Sequence, residues 1–146
     1  MITVRRSTSA TPEQVWSVIA DGWSYPSWVV GASRMRAVES EWPAVGSRIH
    51  HSVGTWPLLL NDETVVQECE PGRRIVLIAK ARPYGKAWVE IELSPQGQGT
   101  MVQMREDASA GPAKLMPKPA RQAAIGPRNV ETLKRLLLLA ERQSTP

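Results

Sequence analysis

Towards its C-terminal end the chain runs Asn129-Val130-Glu131-Thr132-Leu133-Lys134-Arg135-Leu136-Leu137-Leu138-Leu139-Ala140. Val130, Leu133, Leu137 and Ala140 recur at helical spacing, with Leu136 flanking them, so a closing amphipathic helix of about four turns is predicted after Pro127. An apolar stripe of that kind needs a surface to lie on. Residues 31–107 supply one, as short runs punctuated by Trp42-Pro43, Trp56-Pro57, Pro71-Gly72, Pro83-Tyr84-Gly85 and Pro95-Gln96-Gly97. That rhythm is an antiparallel meander, with strands expected near 33–39, 47–53, 63–69, 74–80, 86–94 and 100–107. Phase is clearest in the fifth of these, where Ala87, Val89, Ile91 and Leu93 face one way and Lys86, Glu90 and Glu92 the other. One sheet face is therefore expected to be wet. In the neighbouring strands Ile75, Leu77 and Ala79 share the inner phase, as do Thr100, Val102 and Met104.

Upstream, Ile2-Thr3-Val4-Arg5-Arg6-Ser7 alternates as a short strand. Thr11-Pro12-Glu13-Gln14 then supplies an N-cap, a proline in the first helical turn and the partner of a capping box, ahead of Val15, Trp16, Val18 and Ile19. This helix should end near Asp21-Gly22, and Tyr25-Pro26-Ser27-Trp28 can start a second short turn. Residues 108–127 show no convincing period and hold Pro112, Pro117, Pro119 and Pro127 with Gly111 and Gly126. Such a stretch is either a lid or a linker, and its apolar Leu115, Met116 and Ile125 want somewhere to dock.

With 146 residues, 42% hydrophobic and 22% charged, the chain fits a single α+β domain over residues 1–146. No aliphatic run approaches the roughly 20 residues that cross a bilayer, and no apolar signal segment follows Met1, so a cytoplasmic protein is expected. The single Cys69 excludes an intramolecular disulfide and a multi-thiolate metal or iron–sulfur site. Six Trp and two Tyr stand against no Phe, and Trp16, Trp23, Tyr25 and Trp28 cluster, which marks a packed corner. The net charge is +4, and the excess lies in 108–135, where Lys114, Lys118, Arg121, Arg128, Lys134 and Arg135 face Glu131 alone. That segment can meet an anionic membrane surface, or it is a solvated helix face and loop. Nucleic acid is disfavoured as a partner, because no aromatic side chain is interleaved with the charge there.

Strand, helix, six-strand meander and closing helix, in that order, resemble the START-like superfamily of polyketide cyclases/dehydrases and lipid-transport proteins, the SRPBCC or helix-grip family. The resemblance rests on Ala10-Thr11-Pro12-Glu13-Gln14-Val15-Trp16, Tyr25-Pro26-Ser27-Trp28, Glu70-Pro71-Gly72-Arg73-Arg74-Ile75, Gly99-Thr100-Met101-Val102 and Asn129-Val130-Glu131-Thr132-Leu133. It implies a curved seven-stranded antiparallel sheet wrapped around the C-terminal helix, with one or two short helices after the first strand. It also implies a cavity between sheet and helix that holds an apolar small molecule, lipid-like or polyketide-like. Trp28, His51, Val53, Leu77, Ala79, Val89, Ile91, Met104, Met116, Leu133 and Leu137 are the candidate ligand-binding residues.

His50 and His51 are the two histidines, and alternation sends them to opposite faces. His51 shares the phase of Ile49 and Val53, so it is the inward one. Its imidazole can serve as general base in a cyclase or dehydratase, anchor a ligand carbonyl, or simply be a satisfied core histidine. Glu90 and Glu92 are expected on the wet face and Glu106-Asp107 at a strand end, so no catalytic carboxylate pair is assigned. Cys69 has no base nearby in sequence and is read as structural. No metal is expected, since adjacent strand histidines diverge. No cofactor is expected either: Walker, Gly-x-Gly-x-x-Gly and Gly-x-Ser-x-Gly motifs are absent. Trp56-Pro57-Leu58-Leu59-Leu60 is an apolar loop tip suited to a portal flap or to folding back on the sheet.

Overall fold

The alternating segments all become strands of one sheet in the computed structural model, which describes residues 1–30, 32–53, 60–81 and 85–142. They are β1 (Ile2–Thr8), β2 (Ala32–Val38), β3 (Arg48–Val53), β4 (Leu60–Glu70), β5 (Arg74–Ala81), β6 (Gly85–Gln96) and β7 (Gly99–Ala110). Their order is β1-β7-β6-β5-β4-β3-β2, every pairing antiparallel, so the meander runs across the sheet and β1 closes on its last strand. Register shifts in the β2/β3, β4/β5 and β6/β7 pairs mark bulges, which bend a sheet and let it curl around a helix. At the open end of the last hairpin, Gly85 has φ 120°, and a Cβ there would lie 1.9 Å from the Ala110 carbonyl oxygen; only glycine lets β6 and β7 approach so closely.

Helix α1 (Pro12–Ala20) starts where the capping box predicts. Thr11 Oγ1 accepts from the Gln14 N–H at 3.2 Å, and Gln14 Oε1 accepts from the Thr11 N–H at 2.8 Å. A 3-10 turn (Gly22–Ser24) leads into α2 (Tyr25–Trp28), and a second one (Pro112–Leu115) precedes α3 (Lys118–Arg142).

Helix α3 corrects the reading of 108–127. Instead of beginning after Pro127 it spans 25 residues, about seven turns, with Pro127 inside it, and β7 reaches Ala110. Pro119 occupies the first turn, where the N–H has no intrahelical acceptor, so it does not oppose the helix. Ala120, Ala123 and Ala124 favour helix between the prolines, and the bond forfeited at Pro127 is only one of many. No helix among the described residues is long and apolar enough to cross a membrane.

The C-terminal half of α3 packs on the sheet and α1. Leu133, Leu136, Leu137 and Ala140 are fully buried with Val15, Val18 and Ile19, over Ile75, Ile91, Leu93 and Val102. Trp42 joins this core, its indole N–H donating to the Ile19 carbonyl at 3.2 Å, while Trp23 stands exposed. The outer sheet face departs from expectation at Glu90, which points away from α3 as predicted yet is 1% exposed, gripped by Arg74 and Arg105.

Candidate functional site

Register explains where the interior is filled and where it is not. Ile75, Ile91 and Met104 form one inward row across β5, β6 and β7; Leu77, Val89 and Glu106 form the next; Ala79, Ala87 and Ala108 form the third. Side chains thus shrink along the strands, from isoleucine to alanine. Above the large end lie the leucines of α3. Above the alanine row lies the first half of the same helix, with Arg121, Ala124, Ile125, Arg128 and Asn129. The space left between is a cavity of about 480 Å³, walled on its flank by Tyr25, Trp28, Val29 and Val30 and at its mouth by Lys86, Ala113 and Met116. That volume falls in the range of small-molecule sites, and the walls are mostly apolar.

Of the residues predicted from sequence, Trp28, His51, Leu77, Ala79, Val89, Ile91, Met104 and Met116 line this space. Leu133 and Leu137 do not: at 0% and 1% exposure they are locked in the solid core. Because α3 begins at Lys118 instead of after Pro127, its N-terminal half covers the cavity and its leucines lie beyond it. The side chain of Val53 and residues 56–59 of the apolar loop tip lie outside the described residues. Trp28 is a buried wall residue, 2% exposed and edge-on to Tyr25 at 5.5 Å between ring centroids.

A polar cluster interrupts the apolar wall. His51, 3% exposed, faces inward as alternation requires, and its Nε2 lies 2.9 Å from Thr64 Oγ1. Tyr25 Oη lies 3.3 Å from the same hydroxyl, and the Tyr25 and His51 rings stack with centroids 5.4 Å apart. Burial pulls the His51 imidazole below its ordinary range; Asp62, opposite it in the β3/β4 ladder, draws it back up in part, and Arg36 and His50 push it further down. The ring is therefore neutral at pH 7. Burial likewise raises the Tyr25 phenol, against the opposing pull of its Thr64 bond. His50 points to the other face, its Nδ1 3.8 Å from Glu63.

Three buried side-chain nitrogens have no hydrogen-bond partner among the described residues: His51 Nδ1, Arg121 Nε and Asn129 Nδ2. All three belong to residues that line the cavity.

Arg121, Arg128 and Asn129 are not assigned to the site by the sequence reading, and Glu106, expected at a strand end, instead lies within β7, which runs to Ala110, and lines the cavity. Glu106 continues the inward phase of Val102 and Met104, a signal that was there to be followed; the three α3 residues were hidden by the proline-rich reading of their segment. Glu106, 3% exposed, pairs with Arg128, and Asp107 takes both Arg121 and the Met1 amino group, the latter at 3.1 Å. Burial opposes ionisation of Asp107, but those cations and the Ala108 N–H hold its carboxyl below the usual range. Arg135 pairs with Glu131. Three of the six cations of the basic segment thus face acids of the same chain.

Cys69 is half-buried, and burial pushes its thiol up, away from nucleophile character. Among the described residues, no group of three or more His, Cys, Asp or Glu could hold a metal ion.

Several solved structures share this architecture. Protein CV1439 from Chromobacterium violaceum matches with a TM-score of 0.73 at 20% identity, over 96% of each chain. Protein NE0264 from Nitrosomonas europaea matches at 0.76 and 16% identity, over 99% of this chain and 96% of that one. The di-domain ARO/CYC StfQ from the steffimycin biosynthetic pathway matches at 0.76 and 13% identity, over 99% of this chain and 51% of StfQ. At such identities the shared property is the fold. No curated protein matches in sequence. A family model described as polyketide cyclase / dehydrase and lipid transport, however, matches residues 1–140. The extent of that match, with the sheet, closing helix and hollow described above, means that this chain belongs to the polyketide cyclase / dehydrase and lipid transport family.

Proposed function

We propose that the chain binds an apolar small molecule, lipid-like or polyketide-like, in the cavity between the sheet and the first half of α3. The observation that carries this reading is the alanine row, which leaves about 480 Å³ of mostly apolar space where a packed core would otherwise continue. Protein isolated gently from its native host is expected to carry a stoichiometric organic ligand, released on denaturation and visible as a discrete mass increment in native mass spectrometry. A homogeneous empty chain, together with no uptake of apolar probes, would count against the reading. The contact with an anionic surface narrows, in the same reading, to Lys114 and Lys118 beside the 87% exposed Leu115.

A second reading, a cyclase or dehydratase with His51 as general base, is favoured by one specific observation. The imidazole is held neutral and belongs to a residue that lines the cavity, which is the state a base needs before reaction. His51→Gln preserves shape and hydrogen bonding but not basicity. It is expected to retain probe binding while losing about 100-fold or more in turnover of a poly-β-keto substrate. Turnover that survives the change would remove His51 as base.

A further inference from the structure

The cavity is apolar within and positive around its entrance. Lys86, Arg121 and Arg128 line it against a single acid, Glu106, while Lys80, which also lines it, is taken by Glu63. Lys114 lies in the 3-10 turn whose Ala113 forms part of the mouth, and Lys118 opens α3 just after Met116. From Ala108 to Val130 the chain holds no Asp or Glu. Glu106 and Asp107 are each engaged by an arginine, whereas Lys86, Lys114 and Lys118 have no acid partner among the described residues. Five cations thus stand around the entrance, and the two acids among them are already paired.

Arg128 is the cation placed to bind. Its partner Glu106 belongs to the inward row with Leu77 and Val89 and is 3% exposed, so the guanidinium is drawn into the wall, one row in from the alanines. Nη2 donates to Glu106, and Nε and Nη1 make no bond among the described residues. Neither of these two nitrogens is among the buried, unpartnered atoms, a group that includes Arg121 Nε, and 40% of the Arg128 side chain is accessible. Arg128 therefore keeps donors open, where Arg121, 18% accessible and bound to Asp107, keeps few.

We propose that the occupant of the cavity is an apolar acid, its body in the space beneath α3 and its carboxylate bonded to the open N–H groups of Arg128. The inference rests on the binding reading and names the class of ligand within it. A guanidinium bonds a carboxylate about twice as strongly as it would a neutral acceptor, and the apolar wall offers the body of the ligand nothing but burial. Glu106 opposes a second anion beside Arg128; Lys86, Lys114 and Lys118 offset that opposition and draw the acid to the entrance. An alcohol of the same chain length gives Arg128 only a neutral oxygen, and an amine of that length meets charges like its own.

The test displaces the uncharged probe N-phenyl-1-naphthylamine from the full chain with decanoate, decanol and decylamine, at about pH 8, where acid and amine are both charged. Decanoate is expected to act at about 10-fold lower concentration than decanol, and decylamine at a higher one than either. The gap between decanoate and decanol should narrow as NaCl rises from about 0.05 M to about 0.5 M without closing, since salt screens the exposed lysines more than a contact in the wall. Arg128→Met is expected to bring decanoate to within about 2-fold of decanol. That change leaves Glu106 without its cation, so the double variant Arg128→Met with Glu106→Gln, which removes both charges, carries the test should the single one fail to fold. Displacement by decanoate no better than by decanol in the wild-type chain would overturn the acid and leave the binding reading standing. A preference for decanoate that survives both variants would take the carboxylate away from Arg128 and sink the assignment. If neither the probe nor any of the three binds, the binding reading falls as well.

Discussion

Ala87→Trp is expected to abolish uptake of an apolar fluorescent probe, by at least about 100-fold, in a chain that still folds. Ala87 is the centre of the row that opens the cavity, with Ala79 paired to it across β5 and Ala108 across β7. An indole there projects into space that is already empty, so it meets no packed neighbour, and the usual overpacking cost of about 1–3 kcal/mol is largely avoided. The same substitution at Leu93, which is 2% exposed in the packed core, would press an indole against filled surroundings and confound loss of binding with loss of structure. Ala79→Trp serves as an independent repeat from the adjacent strand. Probe uptake measured by fluorescence, beside thermal unfolding of the same samples, separates the outcomes. Uptake unchanged in both variants would mean that the ligand lies elsewhere.

The alanine row also shows what sequence could and could not disclose. Alternation within one strand assigned Ala87, Val89, Ile91 and Leu93 to the inner face, and the same parity argument turned His51 inward and His50 outward. Those are local properties of a pleated chain, legible from the period alone. That Ala79, Ala87 and Ala108 stand side by side is a matter of register between three strands, which bulges shift and no single segment records. The Tyr25–Thr64–His51 cluster is hidden for the same reason: its members come from α2, β4 and β3 and meet only when the sheet closes on the short helix. The start of α3 was missed because prolines and glycines were read as irregular structure. Pro117 and Pro119 instead mark a helix entrance, where proline is at home, and Pro127 is carried by a helix whose far end is anchored by Leu133, Leu136 and Leu137. Tertiary packing outweighed local propensity there, as it did at Glu90.

Glu90 supports the largest stability effect expected of a single substitution in this chain. It lies on the outer face of β6, opposite Val76 and Arg105, yet is as buried as the core. Its carboxylate accepts from Arg74 Nε at 2.7 Å and from Arg105 Nε at 2.6 Å. Arg74 also donates to Glu68 at 2.6 Å, and the Arg105 guanidinium lies over the Trp88 ring at 5.7 Å. Removing the carboxylate with Glu90→Ala leaves two guanidinium groups facing each other with no anion between them. Breaking a buried pair in this way costs about 3–5 kcal/mol, and because Arg74 and Arg105 keep 26% and 36% of their side-chain surface, the lower end is expected. Replacing Arg74, Glu90 and Arg105 together by Met, Leu and Met should recover most of the loss, since apolar packing can substitute for a fully removed ion network. Acid should act on the same group. Burial alone would raise the Glu90 carboxyl, but its bonds to Arg74 and Arg105 prevail and hold it below the ordinary value. A carboxyl lowered in the folded state binds protons more readily when unfolded, so its stabilisation is complete above the unfolded value near about 4.3 and disappears as pH falls through the folded one. Urea denaturation at pH 7 and at pH 3 checks both points: wild type should lose more between the two than the triple apolar variant does. A Glu90→Ala chain within about 1 kcal/mol of wild type at pH 7 would show that the arginines rehydrate freely and that the outer face of the sheet is held by Val76, Ile78 and Trp88 instead.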